Sequence, residues 1–391
     1  MTTTPSLRSR AVLAGGLAVL SAVAWLGVNV AFNYGGHIGG LFWTGAQAGF
    51  PDGELPGHAY RVADPVGYDG QFYHLVAHDP LIQRDFIGYV DTPRLRWRRI
   101  GVPGLAALIT AGSDRYVDFA YVFIQVVFVF LGAFWLGRYA QTHGQSARWG
   151  LAFLAIPAVA VSLDRMTIDL PLAALAIGLV LYGEEAGRPR WQVYAILCAA
   201  PLVRETGMVL VLGWCLYSVF RREWRAAGRG AACAAPAIAW WIYVYNHTPI
   251  DGTHWFASYP FSGIVNRTLA GIIDPTSTWW LRAAAGFEEL ALAGIWLALL
   301  LAFYLAAKRR TGLIELTALV FAVSVAALGK LDIWSSAYAT GRTMSPLLIM
   351  LGLLALRERR IVFALPLLLV LPRIALQYEA QLKGALRGML G

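Results

Sequence analysis

Glycine, a carboxylate and several rings fall together in one run, Gly67-Tyr68-Asp69-Gly70-Gln71-Phe72-Tyr73-His74-Leu75-Val76-Ala77-His78-Asp79-Pro80. Asp69 is the residue there best suited to chemistry, because a placed carboxylate can take or orient the proton of an attacking hydroxyl. Gly67 and Gly70 let another group approach the backbone closely, which a simple helix cap does not need. The plainer reading makes Asp69 only the N-cap of a short helix. Tyr68, Gln71, Tyr73 and Asp79 join it as candidate substrate-binding residues. His74 and His78 stand at i,i+4, a spacing that can hold a metal. Leu75 occupies the place of the glutamate in a zinc-protease helix, so two interfacial histidines are expected and no metal role is assigned.

Charged groups elsewhere offer partners for such a carboxylate. Arg94, Arg96, Arg98 and Arg99 surround Trp97; they suit lipid headgroups, and equally an anionic lipid-linked substrate, since arginine grips phosphate through two N–H groups. Asp164-Arg165 and Asp169 lie between two apolar runs and read as an outer turn, either solvated or facing a polar cavity. Arg204-Glu205 reads as a turn opening onto that cavity, with Arg204 placed to bind a lipid phosphate. Arg342, in Tyr338-Ala339-Thr340-Gly341-Arg342-Thr343-Met344-Ser345-Pro346, can reach an anionic headgroup or serve as a snorkelling anchor. Lys330 and Asp332 lie just before it. Trp255, Phe256, Tyr259, Phe261, Trp279 and Trp280 form either an aromatic belt or a surface for a sugar or isoprenoid.

The scaffold that must position these groups is a membrane one. Of 391 residues, 58% are hydrophobic and 14% charged, with mean hydropathy +0.56; soluble domains carry about 25% charged residues. The runs are continuous and rich in Ala, Leu and Val, which excludes a β-barrel. We expect a single all-α polytopic membrane domain, 1–391, with about eleven transmembrane helices near 11–32, 117–137, 149–163, 168–183, 191–203, 206–220, 230–245, 288–307, 313–329, 343–356 and 361–376. The run from Ala11 to Phe32 exceeds the ~7–15-residue core of a signal peptide and reads as a retained first helix. Cys198, Cys215 and Cys233 sit inside expected spans without metal-ligand spacing.

Net charge is +9, but the basic residues cluster in short loops beside apolar runs. That pattern signals topology rather than nucleic-acid binding. Arg8, Arg10, Arg138, Arg148, Arg188, Arg190, Arg221, Arg222, Arg225, Arg229, Lys308, Arg309, Arg310, Arg357, Arg359 and Arg360 make up half of the 32 basic residues. They place the N-terminus inside. Two outer loops result, from Asn33 to Tyr116 and from Asn246 to about Phe287. Residues 69–78 are too short to span and read as an amphipathic helix lying at the outer surface. No fixed-period repeat is present, which weakens an inverted-repeat transporter.

A first helix, a long outer loop with an early acidic motif among rings, and many further spans resemble the GT-C glycosyltransferases. The string Tyr68-Asp69-Gly70-Gln71-Phe72-Tyr73, followed by Ala77 and Asp79-Pro80, is similar to that of bacterial membrane proteins assigned to cell-surface glycopolymer formation. The resemblance implies a polyprenyl-phosphate sugar donor, a glycan or lipid acceptor and an active site on the outer face of a prokaryotic plasma membrane. It gives Asp69 the part of catalytic base or acceptor-positioning group. Asp164 and Asp169 match a second acidic site, and Arg342 an arginine placed ahead of a proline. Arg204 and Glu205 complete the expected substrate-binding set. A divalent cation is left open. The rival readings are a transporter or flippase of lipid-linked sugars and a non-catalytic assembly subunit.

Overall fold

Lipid cannot satisfy backbone N–H and C=O groups, so long apolar runs must satisfy them internally, as helices. In the computed structural model, which describes residues 7–185, 190–250, 257–271, 278–329 and 331–390, helices account for nearly all regular structure. Arg188, Trp255, Phe256 and Lys330 lie outside the described residues, as do the side chains of Arg8, Trp280 and Asp332.

Helix α1 (Leu7–Val28) leads into a long loop that carries α2 (Gly70–His78), α3 (Pro93–Arg98) and α4 (Gly101–Ile109). Helix α5 (Asp114–Thr142) follows, then a 3-10 stretch at Ala147–Ala155, α6 (Pro157–Arg165), α7 (Asp169–Glu184), α8 (Trp191–Val203) and α9 (Gly207–Phe220). Next come α10 (Trp224–Ala232), α11 (Ala235–His247), α12 (Ser262–Leu269), α13 (Trp279–Ala307) and α14 (Leu313–Val325). The last four are α15 (Leu331–Trp334), α16 (Ala337–Glu358), α17 (Leu365–Gln377) and α18 (Glu379–Leu390). Strands among the described residues are confined to β1 (Thr44–Gly45) and β2 (Arg61–Val62), a two-residue parallel pair that knits the loop.

Small residues set the packing of α1. Ala11, Ala14, Ala18 and Ala22 are buried, while Leu13, Leu17 and Leu20 on other faces are exposed. This small-residue stripe lets helix backbones approach, as membrane helices commonly do, and Gly15 sits against Phe130 of α5. The exposed leucines form the face suited to lipid.

Among the described residues, four helical stretches are long and apolar enough to cross a membrane: Ser9–Asn33, Asp114–Thr142, Leu281–Ala307 and Tyr338–Glu358. The pair Ala147–Ala155 and Pro157–Arg165, bent by 58°, makes a fifth if taken as one broken span. The chain is thus an all-α protein of membrane type, with four or five such spans among the described residues rather than the expected eleven. The difference has a physical source. Apolar runs register on a hydropathy window whether or not the helix within them is continuous. Helices α8, α9 and α14 are apolar but have 13, 14 and 13 residues, about 20 Å at 1.5 Å per residue against a ~30 Å core. The expected span at 149–163 is broken where Pro157 begins α6, and that at 230–245 divides into α10 and α11.

Helix α2 also departs from expectation. It does not lie on the surface as an amphipathic helix; eight of its nine residues are buried. Leu75 and Val76 pack with Phe50, Leu55, Phe86, Val90 and Trp97 in a small core that Val244 of α11 completes. This core holds α2 inside the protein, at the end of the helical bundle where α5, α7 and α16 have their N-termini.

Candidate functional site

Two glycines let α2 dock. Gly67 has φ +76°, and a Cβ there would lie 2.5 Å from Gly45 N. A Cβ on Gly70 would lie 2.0 Å from the Arg165 carbonyl oxygen. Both positions therefore demand glycine, and the contact of Gly70 brings α2 against the end of α6. Asp69 occupies the N-cap position but makes no side-chain cap hydrogen bond.

Its carboxylate is turned to two arginines instead. Asp69 Oδ1 accepts from Arg96 Nη2 at 3.0 Å, and Oδ2 lies 2.7 Å from Arg342 Nη2. Burial alone would raise the Asp69 pKa; the charges of Arg96 and Arg342 reverse that and hold it well below the usual carboxylate range. The side chain remains 22% exposed. Asp69 is therefore an anchored anion reachable at the surface, and a weak base while both arginines hold it.

Further ion pairs radiate from this centre. Arg96 also grips Asp91, with Nε 2.9 Å from Oδ1 and Nη2 2.8 Å from Oδ2. The Tyr73 hydroxyl accepts from Arg96 Nη1 at 3.2 Å and Arg99 Nη1 at 2.6 Å. Arg99 closes a two-pronged pair on Glu205, 2.8 and 2.5 Å. Arg204 pairs with Asp169, whose Oδ2 lies 3.5 Å from Arg342 Nε. The Tyr68 ring lies under the Arg342 guanidinium, 5.2 Å from its centre, and meets Tyr338 edge-on. Tyr338 donates to Asp164 Oδ2 at 2.7 Å.

The structure thus gathers Asp69, Tyr68, Tyr73, Arg204, Glu205, Asp169 and Arg342, and links Asp164 through Tyr338. Asp164 and Asp169 are 3% and 4% exposed, so the solvated-turn reading fails for both. Two expected residues lie apart. Gln71 spends its side-chain amide on the loop backbone, accepting from Gly45 N and donating to Val66 O. Asp79 accepts from the N–H groups of Gln83 and Arg84 and shapes the chain leaving α2. Of the second-loop rings, Tyr259 bonds Asn266, Phe261 packs on Phe303 and Trp279 is exposed.

Arg96, Arg99 and Asp91 were not singled out individually by sequence. The cluster Arg94–Arg99 suggested headgroups or an anionic substrate, and only two of its members turn inward to Asp69 and Glu205. Helical spacing decides this: Arg96 and Arg99, three apart, turn one way, and Arg94 and Arg98, four apart, turn the other, where Arg94 bonds Thr248 O and stacks on Tyr245, and Arg98 faces Trp241.

The arginines keep unused donors. Arg342 Nε and Nη1, Arg204 Nε and Arg165 Nη1 are buried and have no hydrogen-bond partner among the described residues. Arg204, Arg342 and Asp169 line a crevice with Ala158, Leu172, Ser345 and Pro346 that is too tight for a water molecule. Roomier cavities lie elsewhere. One of about 950 Å³ is bordered by Arg190, Trp191, Glu223 and Arg229, and an apolar one of about 400 Å³ by Trp149, Ile177, Leu353 and Leu367. Volume alone would point away from Asp69, but neither cavity joins carboxylates to several buried arginines.

No protein-family model, no curated protein and no solved structure matches the chain, which leaves this geometry as the ground for a functional reading.

Proposed function

We propose that the chain is a membrane glycosyltransferase of GT-C type. It would move a sugar from a polyprenyl-phosphate donor to a hydroxyl of a cell-surface glycopolymer or glycolipid, at the outer face of a prokaryotic plasma membrane. The observation that carries this reading is the set of unspent, buried guanidinium donors on Arg342 and Arg204 beside a partly exposed carboxylate. Buried donors without acceptors are costly and rare. A phosphate oxygen would satisfy them with charge-assisted hydrogen bonds once the crevice between Arg204 and Arg342, closed to water in this conformation, opens to admit it, while Asp69 faces the hydroxyl that is to react.

In this mechanism the acceptor oxygen forms a bond to the anomeric carbon as the bond from that carbon to phosphate oxygen breaks. Asp69 takes the acceptor proton, and the polyprenyl phosphate leaves with the bonding pair. Arg342 and Arg204 stabilise the charge that builds on the departing oxygen. The low basicity of Asp69 is part of the scheme. A bound phosphate competes for Arg342, weakens its hold on Asp69 and makes the carboxylate a better base when donor is present. Tyr68 and Tyr73 position the arginines, and Glu205 and Asp91 hold Arg99 and Arg96.

The competing reading of a non-catalytic subunit draws on one fact: Asp69 is paired on both oxygens, as a purely structural carboxylate would be. Membranes containing the wild type, Asp69→Asn and Asp69→Ala at matched abundance separate the two when supplied with a panel of polyprenyl-phosphate sugars. Release of free polyprenyl phosphate by the wild type and its loss in both variants is expected. Wild-type membranes that release none with any donor would end the enzyme reading.

A further inference from the structure

Outside that site, four titratable side chains from three separate elements converge. His58 comes from the loop ahead of β2, His74 and His78 from successive turns of α2, and Asp118 from the first turns of α5. Asp118 Oδ1 lies 2.8 Å from His74 Nε2 and 3.1 Å from His78 Nε2; its Oδ2 lies 3.0 Å from His58 Nδ1. The four ligand atoms all lie within 4.8 Å of one another. His74, His78 and Asp118 are buried, and His58 is partly so.

Hydrogen bonding alone leaves this cluster short of a good solution. His78 presents Nε2 to Asp118 and Nδ1 to Asp114 Oδ1 at 2.7 Å. His74 is fully buried, and its Nδ1 has no partner among the described residues. Three imidazoles crowd one carboxylate. A metal ion resolves the crowding by replacing the shared protons with one central charge.

We propose that His58, His74, His78 and Asp118 form a metal site for a first-row transition ion, Zn²⁺ foremost. Three imidazole nitrogens and a carboxylate oxygen are a donor set that zinc accepts in four-coordinate form. Tetrahedral bonds of about 2.0–2.2 Å place ligand atoms roughly 3.3–3.6 Å apart, a spacing these atoms bracket. The surroundings are those of a built site. His78 Nδ1–H donates to Asp114, which Arg84 Nη1 holds at 3.0 and 3.1 Å, giving the carboxylate backing that ligating histidines usually have. The His74 ring lies flat on Phe42, 4.1 Å between centres and 9° between planes, which fixes its direction. The ion would staple the loop, α2 and α5 together, and so would anchor the helix that begins at Asp69.

Tag-free, full-length protein in detergent tests this without any transferase assay. It is stripped with a chelator, reloaded with zinc sulfate alone, desalted and analysed for metal. One zinc per chain is expected, with a rise of about 5 °C or more in the unfolding midpoint. Co²⁺ in its place should give the intense visible bands of a four-coordinate ion. Asp118→Asn and His74→Ala should lose the metal, and His58→Ala, which alters the most exposed ligand, provides a variant expected to fold. Intact wild type that retains no stoichiometric zinc after reloading would overturn the proposal. So would His58→Ala protein that keeps zinc and the cobalt spectrum unchanged.

Discussion

Replacing Asp69 with asparagine keeps the shape of the side chain and removes its charge. Arg96 would still be held by Asp91 at 2.8 and 2.9 Å, but Arg342 would keep only Asp169 at 3.5 Å. Taking one partner from a buried ion pair costs ~3–5 kcal/mol. Asp91 remains on Arg96, and Asp69 is 22% exposed, so we expect a smaller loss of about 2 kcal/mol in stability. Activity should fall further. Losing a general base typically removes ~10²–10⁴-fold in rate. The two effects separate in Asp69→Asn/Arg342→Gln, where the orphaned cation is gone as well. That double variant should recover stability towards the wild type while transferring no more sugar than Asp69→Asn, a non-additivity that a mutant cycle measures. The assays are thermal unfolding in detergent and donor turnover per folded molecule. If Asp69→Asn turns over donor at the wild-type rate once corrected for folded protein, Asp69 is not the base. If the double variant recovers activity together with stability, the pair is structural.

Arg342→Lys keeps a charge but loses the planar fork; we expect about a tenfold rise in KM for the donor, equivalent to ~1.4 kcal/mol, measured by donor titration. Gly70→Ala would put a methyl group 2.0 Å from the Arg165 carbonyl oxygen, so α2 should shift off α6, with a marked drop in yield on size-exclusion chromatography and in transfer. The folded-state pKa of Asp69 is depressed, so its contribution to stability is fully present above the unfolded value of about 3.9. It is lost only as pH falls towards the folded value. The difference in stability between the wild type and Asp69→Asn should therefore stay constant from neutral pH to about pH 5 and shrink below about pH 4, as thermal unfolding across that range would show. A cysteine at Val66, which is 74% exposed, should react with an impermeant reagent from outside intact cells; labelling only after lysis would reverse the proposed orientation.

The membrane class was legible because it depends on composition, and the longest helices fall where the longest apolar runs do. Span number was not, because α8, α9 and α14 are apolar yet short, and Pro157 divides a run that looks continuous. Asp69 and Arg342 stood out because a carboxylate among glycines and an arginine ahead of Pro346 are unusual at a bundle end. Their contact was invisible, being made between α2 and α16, far apart in the chain. Gln71 and Asp79 were misread for a local reason. Side chains of those types serve a loop backbone as readily as a ligand, and only the partners decide. The histidines are a different case. The spacing of His74 and His78 was visible, but His58 and Asp118, which they meet, come from the loop and from a different helix, so the cluster of four was not.

Helices α7 and α16 carry fastenings at both extremities. At one end Arg342 meets Asp169, and at the other Arg357 Nη1 lies 3.1 Å from Glu184, with Arg357 also reaching Glu315 of α14 at 2.5 Å. Mechanically these helices resemble struts clamped top and bottom: they can bow, but they cannot scissor without parting these ion pairs. On the proposed reading, any motion that admits a long lipid to Asp69 would belong to the rim formed by the loop and α3. There, Arg96 can trade one carboxylate for another without the bundle changing shape.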